Sequence, residues 1–188
     1  MQRELLLFEK GGPENTDATL QAARRRAEQL SVGKVILATS TGETALKALT
    51  AFEGTDVRIV AVTLHAGLWE VYERPDPEKV KAAMAAGVQF LTSTHTLMGN
   101  VEAAIRDKFG GLPPAELIAH TYYTFCQGMK VAVEVAVMAV DAGLAAAGEE
   151  VIAVGGTGRG ADTAIVLQAT DSTNFFALKV REVIAMPR

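Results

Sequence analysis

Short apolar runs rich in β-branched residues alternate with helix-patterned stretches along most of this chain, and near its end the helices stop. Residues 5–8, 35–38, 57–62 and 88–91 read as strands, and each is followed by a segment with apolar residues at helical spacing. Leu20, Ala23, Ala27 and Leu30 mark the first such segment, and Ala45, Leu46, Ala48 and Leu49 mark a helix over residues 44–52. Residues 78–86 and 99–109 follow suit. Pro113-Pro114 opens another helix, and Gly128 separates it from a long one over residues 130–147. Residues 151–154, 163–169 and 179–185 then read as strands with no helix between them. Strands joined through helices run parallel, and their sheet needs cover on both faces. Strands that follow one another directly require an antiparallel partner. The pattern predicts a three-layer α/β/α sandwich with a mostly parallel sheet and antiparallel last strands. With no linker, repeat or low-complexity tract, residues 1–188 read as a single domain.

Composition narrows the function classes. Hydrophobic residues make up 49 %, an ordinary globular share, and the net charge of −4 argues against nucleic acid as the main partner. Arg24-Arg25-Arg26 reads as a solvated helix face. Residues 5–8 are too short for the core of a secretory signal and run into Glu9-Lys10-Gly11-Gly12. The longest apolar run, 131–147, is interrupted by Glu134 and Asp141 and falls short of the ~20 residues a membrane span needs. The expectation is a cytoplasmic protein with no membrane partner. The lone Cys126 has no internal disulfide partner.

Two glycine-bearing loops follow apolar strands and carry the candidate chemistry. In the first, Thr39, Ser40, Thr41 and Thr44 place four hydroxyls around Gly42 at the start of a helix. Hydroxyls and free helix-terminal N–H groups form a cradle for one phosphate. Simple N-capping by Thr41 is the other reading. Glu43 favours the helix dipole but repels an anion.

The second loop carries Gly156, Thr157, Gly158, Arg159, Gly160 and Asp162. Its glycine spacing invites a dinucleotide fingerprint, but that motif needs a helix after the glycines, and the segment here is of β type. A P-loop is absent as well. What survives is a glycine-rich hairpin whose Arg159 fork suits phosphate or carboxylate, or else a loose hairpin with a solvated arginine.

His65, His95 and His120 lack metal-ligand spacing. His65 and His95 both follow strand ends, so both can face one crevice. Ser40, His65 and Asp162 form a triad on paper without the strand-turn-helix elbow a serine nucleophile uses. Glu134 and Asp141, seven residues apart, share a helix face and read as makers of structural hydrogen bonds.

These residues resemble the C-terminal α/β domain of pyruvate kinase. Thr39-Ser40-Thr41-Gly42-Glu43-Thr44-Ala45 matches its Thr-x-Ser-Gly-x-Ser/Thr-Ala loop. Ala61-Val62-Thr63 matches the end of its next strand, and residues 155–163 match its closing hairpin. The chain is more similar still to stand-alone, uncharacterised relatives of that domain. They share Gly12-Pro13-Glu14-Asn15-Thr16, the block from Val154-Gly155-Gly156 to Arg159-Gly160-Ala161-Asp162-Thr163-Ala164, Asn174-Phe175-Phe176 and Met186-Pro187. In pyruvate kinase the chemistry belongs to a separate barrel domain, while the C-terminal domain holds a phosphorylated sugar effector in these two loops.

The stand-alone relatives are associated with flavin mononucleotide (FMN). The resemblance therefore implies a protein that binds a small phosphorylated ligand, FMN foremost, with no kinase activity of its own. A small flavin-dependent enzyme and a sugar-phosphate sensor are the alternatives. In this reading Asn15 and Thr16 line the crevice edge. The first loop takes the phosphate, and the ring lies toward the second loop and the segment holding Thr63, His65, Gly67, Trp69 and Tyr72. His95 joins the same crevice. A homo-oligomer is expected through the Ala/Val-rich helix or the Phe175-Phe176 pair.

Overall fold

A computed structural model describes residues 4–188. Its seven strands are β1 (Leu6–Phe8), β2 (Lys34–Ala38), β3 (Arg58–Thr63), β4 (Gln89–Thr92), β5 (Glu150–Gly155), β6 (Thr163–Gln168) and β7 (Lys179–Pro187). They form one sheet in the order β1-β7-β6-β5-β2-β3-β4. Only β6 runs against its neighbours: β5–β6 and β6–β7 are antiparallel, and the other four pairings are parallel. The expected mostly parallel sheet with antiparallel final strands is thus the one observed.

Alternation along the central strands explains the three layers, since successive side chains point to opposite faces. Val35 and Leu37, Ile59 and Ala61, Ile152 and Val154 face one side, where they meet α1 (Thr16–Leu30), α2 (Glu43–Ala51) and α3 (Pro77–Ala85). Ile36, Val60, Val62, Val151 and Ala153 face the other, against α6 (Gln127–Asp141). Between β4 and α6 lie α4 (Val101–Phe109) and α5 (Pro114–Tyr123).

Three sequence expectations need correction. The long helix runs from Gln127 to Asp141 rather than over 130–147. Gly128 lies inside it because β6 presses on that spot: a Cβ there would sit 2.2 Å from Thr163 Oγ1. Gly143, at φ 71°, ends it by adopting the left-handed turn that closes many helices. The arginine run is also not one solvated face. Arg25 is exposed, but Arg26 is buried and grips Glu182 through two hydrogen bonds of 2.8 and 2.7 Å. The Ala/Val-rich helix α6 is itself buried in the core, so its face is not free to join copies.

Candidate phosphate-binding edge of the sheet

Because β1, β2, β3, β4 and β5 point the same way, the segments leaving them gather at one edge, where α/β sheets bind ligands. The turn at 9–15, loop 39–42, segment 64–76, loop 93–100 and hairpin 156–162 meet there, together with the start of α6.

In the first loop, the Thr39 amide donates to Val62 across the strand end at 2.9 Å. The Thr39 hydroxyl accepts the Gly42 amide at 3.0 Å, and the Thr41 hydroxyl accepts that of Glu43 at 3.3 Å. Gly42 takes φ 97°, a turn that side chains resist, and so brings the chain sharply into α2. Capping by Thr41 is therefore real but partial. Among the described residues, the amides of Ser40, Thr41 and Thr44 and the hydroxyls of Ser40 and Thr44 have no protein partner. The charge of Glu43 is met by Lys79 at 2.6 Å, whose ammonium that hydrogen bond holds above the ordinary lysine range. Beside the helix terminus stands an ion pair, not a lone carboxylate.

The hairpin is tied to the protein at more points, although among the described residues the amides of Gly156, Gly158 and Gly160 have no protein partner. Asp162 is fully buried; its Oδ2 accepts the amides of Gly12 and Thr157, each at 3.0 Å, and its Oδ1 accepts the Thr163 hydroxyl at 2.8 Å. With both oxygens engaged, it does not orient His65, so the paper triad with Ser40 has no physical support. The buried Thr16 hydroxyl donates to Pro13 and accepts the Ala161 amide at 2.9 Å. Asn15 spends its side-chain amide on Lys10 at 2.8 Å. The glycines serve close packing: a Cβ on Gly156 would meet Gly160 O at 2.4 Å, and one on Gly160 would meet Thr16 Oγ1 at 2.3 Å. The hairpin is clamped rather than loose. Arg159 stands out from it and pairs with Glu73 at 2.5 Å.

Segment 73–79 spans both loops. Glu73 holds Arg159, the Asp76 amide donates to Thr41 O at 3.0 Å, and Lys79 holds Glu43. Thr63 is buried within a hydroxyl network with Thr92 (2.6 Å) and Leu64 O. Gly67 leaves room for the His65 ring, which would lie 3.1 Å from a Cβ there. Trp69 donates its indole N–H to Leu64 O at 2.8 Å, and Tyr72 is exposed.

The structure brings His65 and His95 together, ring centroids 5.1 Å apart and nearly perpendicular. His65 Nε2 is buried without a hydrogen-bond partner. Burial first, then the Lys130 and His65 charges, hold the His95 pKa below the usual histidine value, against the opposing pull of Glu134. His120 lies apart, on α5 beside Tyr123.

Sequence reasoning missed the group beneath these rings. Lys130 and Glu134 are both buried and paired on α6, and Glu134 Oε1 accepts the amides of Leu97 (2.8 Å) and Met98 (3.0 Å). This fits the structural role read for Glu134, and Asp141 likewise accepts the Ser172 amide at 2.8 Å. The signal was available: opposite charges four residues apart in an otherwise apolar helix. Cys126 begins that helix, its sulfur accepting the Met129 amide at 3.3 Å.

Two surface clefts lie away from this edge, one at Ile105 and Gly110–Pro114, the other at the amino ends of β2 and β3. Among the described residues no three His, Cys, Asp or Glu side chains cluster to hold a metal ion, and no helix is long and apolar enough to cross a membrane.

The fold is similar to solved pyruvate kinases. One from Cryptosporidium parvum is 15 % identical, with a TM-score of 0.43 over 82 % of this chain and 23 % of its own. The Cryptosporidium parvum pyruvate kinase in complex with ADP is also 15 % identical, with a TM-score of 0.42 over 82 % of this chain and 24 % of its own. This chain thus spans about a quarter of the length of the kinases it matches. The model of the family "Pyruvate kinase, alpha/beta domain" matches residues 17–167, and the chain belongs to that family.

Proposed function

We propose that this chain binds a small phosphorylated ligand at the carboxyl edge of its sheet, with FMN as the ligand, and transfers no phosphate itself. One observation carries the reading. The start of α2 presents unpartnered amides at Ser40, Thr41 and Thr44 and unpartnered hydroxyls at Ser40 and Thr44 beside a helix N-terminus, while the open amides of the hairpin, at Gly156, Gly158 and Gly160, have no helix behind them. A helix N-terminus of this kind favours an anion, and the Lys79–Glu43 pair removes the repulsion that Glu43 alone would exert.

The residues fit the phosphate end of FMN directly. For the ring they offer the exposed Tyr72 face and the Arg159 guanidinium. Thr16, Thr39, Thr63 and Asp162 are buried with partners of their own and position the loops rather than touch a ligand. A bound flavin would supply redox chemistry; the chain's own residues would bind and orient it.

A sugar-phosphate sensor is the second reading, favoured by the hydroxyl-rich loop and by the tying of Trp69 to Leu64. A flavin enzyme using His65 or His95 as proton donor is less well supported. Burial keeps His95 neutral, which makes it a poor donor near neutral pH.

Titrating unfolded-and-refolded protein with FMN, riboflavin and fructose bisphosphate separates these readings. Quenching of the fluorescence of FMN but not of riboflavin on mixing with the protein is the expected result. Equal binding of the two removes the phosphate argument. Binding of the sugar bisphosphate alone establishes the sensor reading.

A further inference from the structure

Segment 64–76 crosses the carboxyl edge as a strap that its own packing holds weakly. None of its residues is buried, and Val71 and Tyr72 are 73 % and 69 % exposed. A stretch with so little buried surface opens more readily than the core around it. Its far end is tied to both loops, by the Asp76 amide on Thr41 O and by Glu73 on Arg159. Its root is held differently. Trp69 donates to Leu64 O inside the strap itself, whereas the ring of His65, set edge to face against His95, ties the root to loop 93–100.

The two sides of that contact are unequally anchored. Glu134 grips loop 93–100 at the Leu97 and Met98 amides, and Asn100 grips it at the carbonyls of His95 and Thr96, each at 3.2 Å. When the rings part, the strap moves and the loop stays. The contact is also shallow. His65 Nε2 lies beside Gly99, where a Cβ would sit 3.6 Å from it and 3.5 Å from His95 Nδ1, and among the described residues it has no hydrogen-bond partner. The closed form thus carries the cost of an unmade hydrogen bond, which water would relieve once the rings part.

A proton bears on one side of this balance. The groups facing His95 are the Glu134 carboxylate and Lys130 ammonium on α6, the His65 ring, and the Thr63 carbonyl at the end of β3. From α5, Tyr123 donates to Met98 Sδ at 3.4 Å. Burial, helped by Lys130 and His65, outweighs Glu134, whose oxygens are already spent on Lys130 and two backbone amides. A charged His95 ring is therefore costly while the rings touch, and the cost falls when the ring meets water.

We propose that His65 and His95 form an acid-released latch at the root of strap 64–76. Neutral rings hold the strap on loop 93–100; a proton on His95 frees it and loosens its hold on loop 39–42 and hairpin 156–162. The release itself is independent of the ligand reading, and only its consequence for a phosphorylated ligand rests on that reading.

Trp69, the only tryptophan of the chain, lies in the strap and reports on it. The test follows its emission maximum from about pH 8 to about pH 5 without any ligand, beside the far-ultraviolet circular dichroism. The expected result is a reversible red shift of several nanometres below about pH 6.5 with the circular dichroism unchanged. His95→Phe, which keeps a ring and takes no proton, should hold the emission of the latched form across the whole range. His65→Gln should show the released emission at every pH. Should His95→Phe misfold, His95→Gln must give an equally flat profile. An emission that moves only when the circular dichroism is lost overturns the proposal. So does a red shift that survives in His95→Phe or His95→Gln, or a His65→Gln chain indistinguishable from the parent. Because no ligand is present, failure here is distinct from failure of the FMN titration.

Discussion

The two glycine-bearing loops at the carboxyl edge look alike in sequence and differ in how they are tied down and in what stands behind their open amides. The hairpin 156–162 is clamped to the protein: Asp162 and Thr16 take the Thr157 and Ala161 amides, and Gly156 and Gly160 let the backbone touch neighbouring segments, while the amides of Gly156, Gly158 and Gly160 stay open with no helix behind them. Loop 39–42 satisfies only part of its own backbone and keeps open amides at the start of a helix. In the hairpin Gly156 and Gly160 relieve crowding and Gly158 and Gly160 take left-handed turns, whereas in the first loop Gly42 makes one such turn into the helix. A Gly-rich stretch is thus no measure of ligand binding. What separates the two is where the unpaired donors sit, at a helix N-terminus in one loop and in a hairpin with no helix after it in the other.

Substitutions should sharpen that contrast, the packed side losing stability and the open side losing affinity. Gly155→Ala is expected to do most damage, because its Cβ would lie 2.3 Å from Gly128 O and 2.8 Å from the Ala132 amide nitrogen. Backbone cannot rotate away as a side chain can, so a loss of about 3 kcal/mol is expected in urea unfolding. Asp162→Ala should follow at about 2–3 kcal/mol, since it orphans the Gly12 and Thr157 amides in a buried site. A stable Gly155→Ala variant would show that the end of β5 presses on α6 less closely than described.

On the open side, Thr44→Ala should leave the unfolding midpoint nearly unchanged and weaken phosphate-ligand affinity about ten-fold, equivalent to the ~1.5 kcal/mol of one hydrogen bond to a charged group. Isothermal calorimetry with FMN reads this directly. Unchanged affinity would make the loop a helix cap and no more.

A smaller effect concerns pH. The His95 pKa is depressed in the folded state, so the unfolded chain binds the proton more readily. The neutral ring's contribution to stability is complete above the unfolded value of about 6.5 and is lost as pH falls below it. Between pH 7 and pH 5, His95→Gln should therefore lose less in thermal midpoint than the parent chain. An equal loss would mean that other groups govern the acid side.

Smallest of all, Arg159→Gln removes an ion pair whose arginine is 73 % exposed and should cost under about 1 kcal/mol. It should weaken flavin binding more than it weakens the fold.

What the sequence determined by itself was local or periodic. Alternating apolar runs and helical spacing gave the class of fold, and the absence of a helix after Ala147 gave the reversal of β6. The loops were legible because Gly, Thr and Ser declare their turn chemistry within a few residues. The strand order, with β5 beside β2, was not, nor was anything that depends on it.

Tertiary structure alone decided that Gly128 belongs inside a helix pressed by Thr163, that Arg26 is buried against Glu182, and that Glu134 holds the amides of Leu97 and Met98. It also turned Glu43 from a repelling charge into half of an ion pair with Lys79, 36 residues away. The partners in these contacts stand 35 to 156 residues apart. A charge or a glycine acquires its role from whatever the folded chain sets against it, and residue order does not encode that neighbour locally.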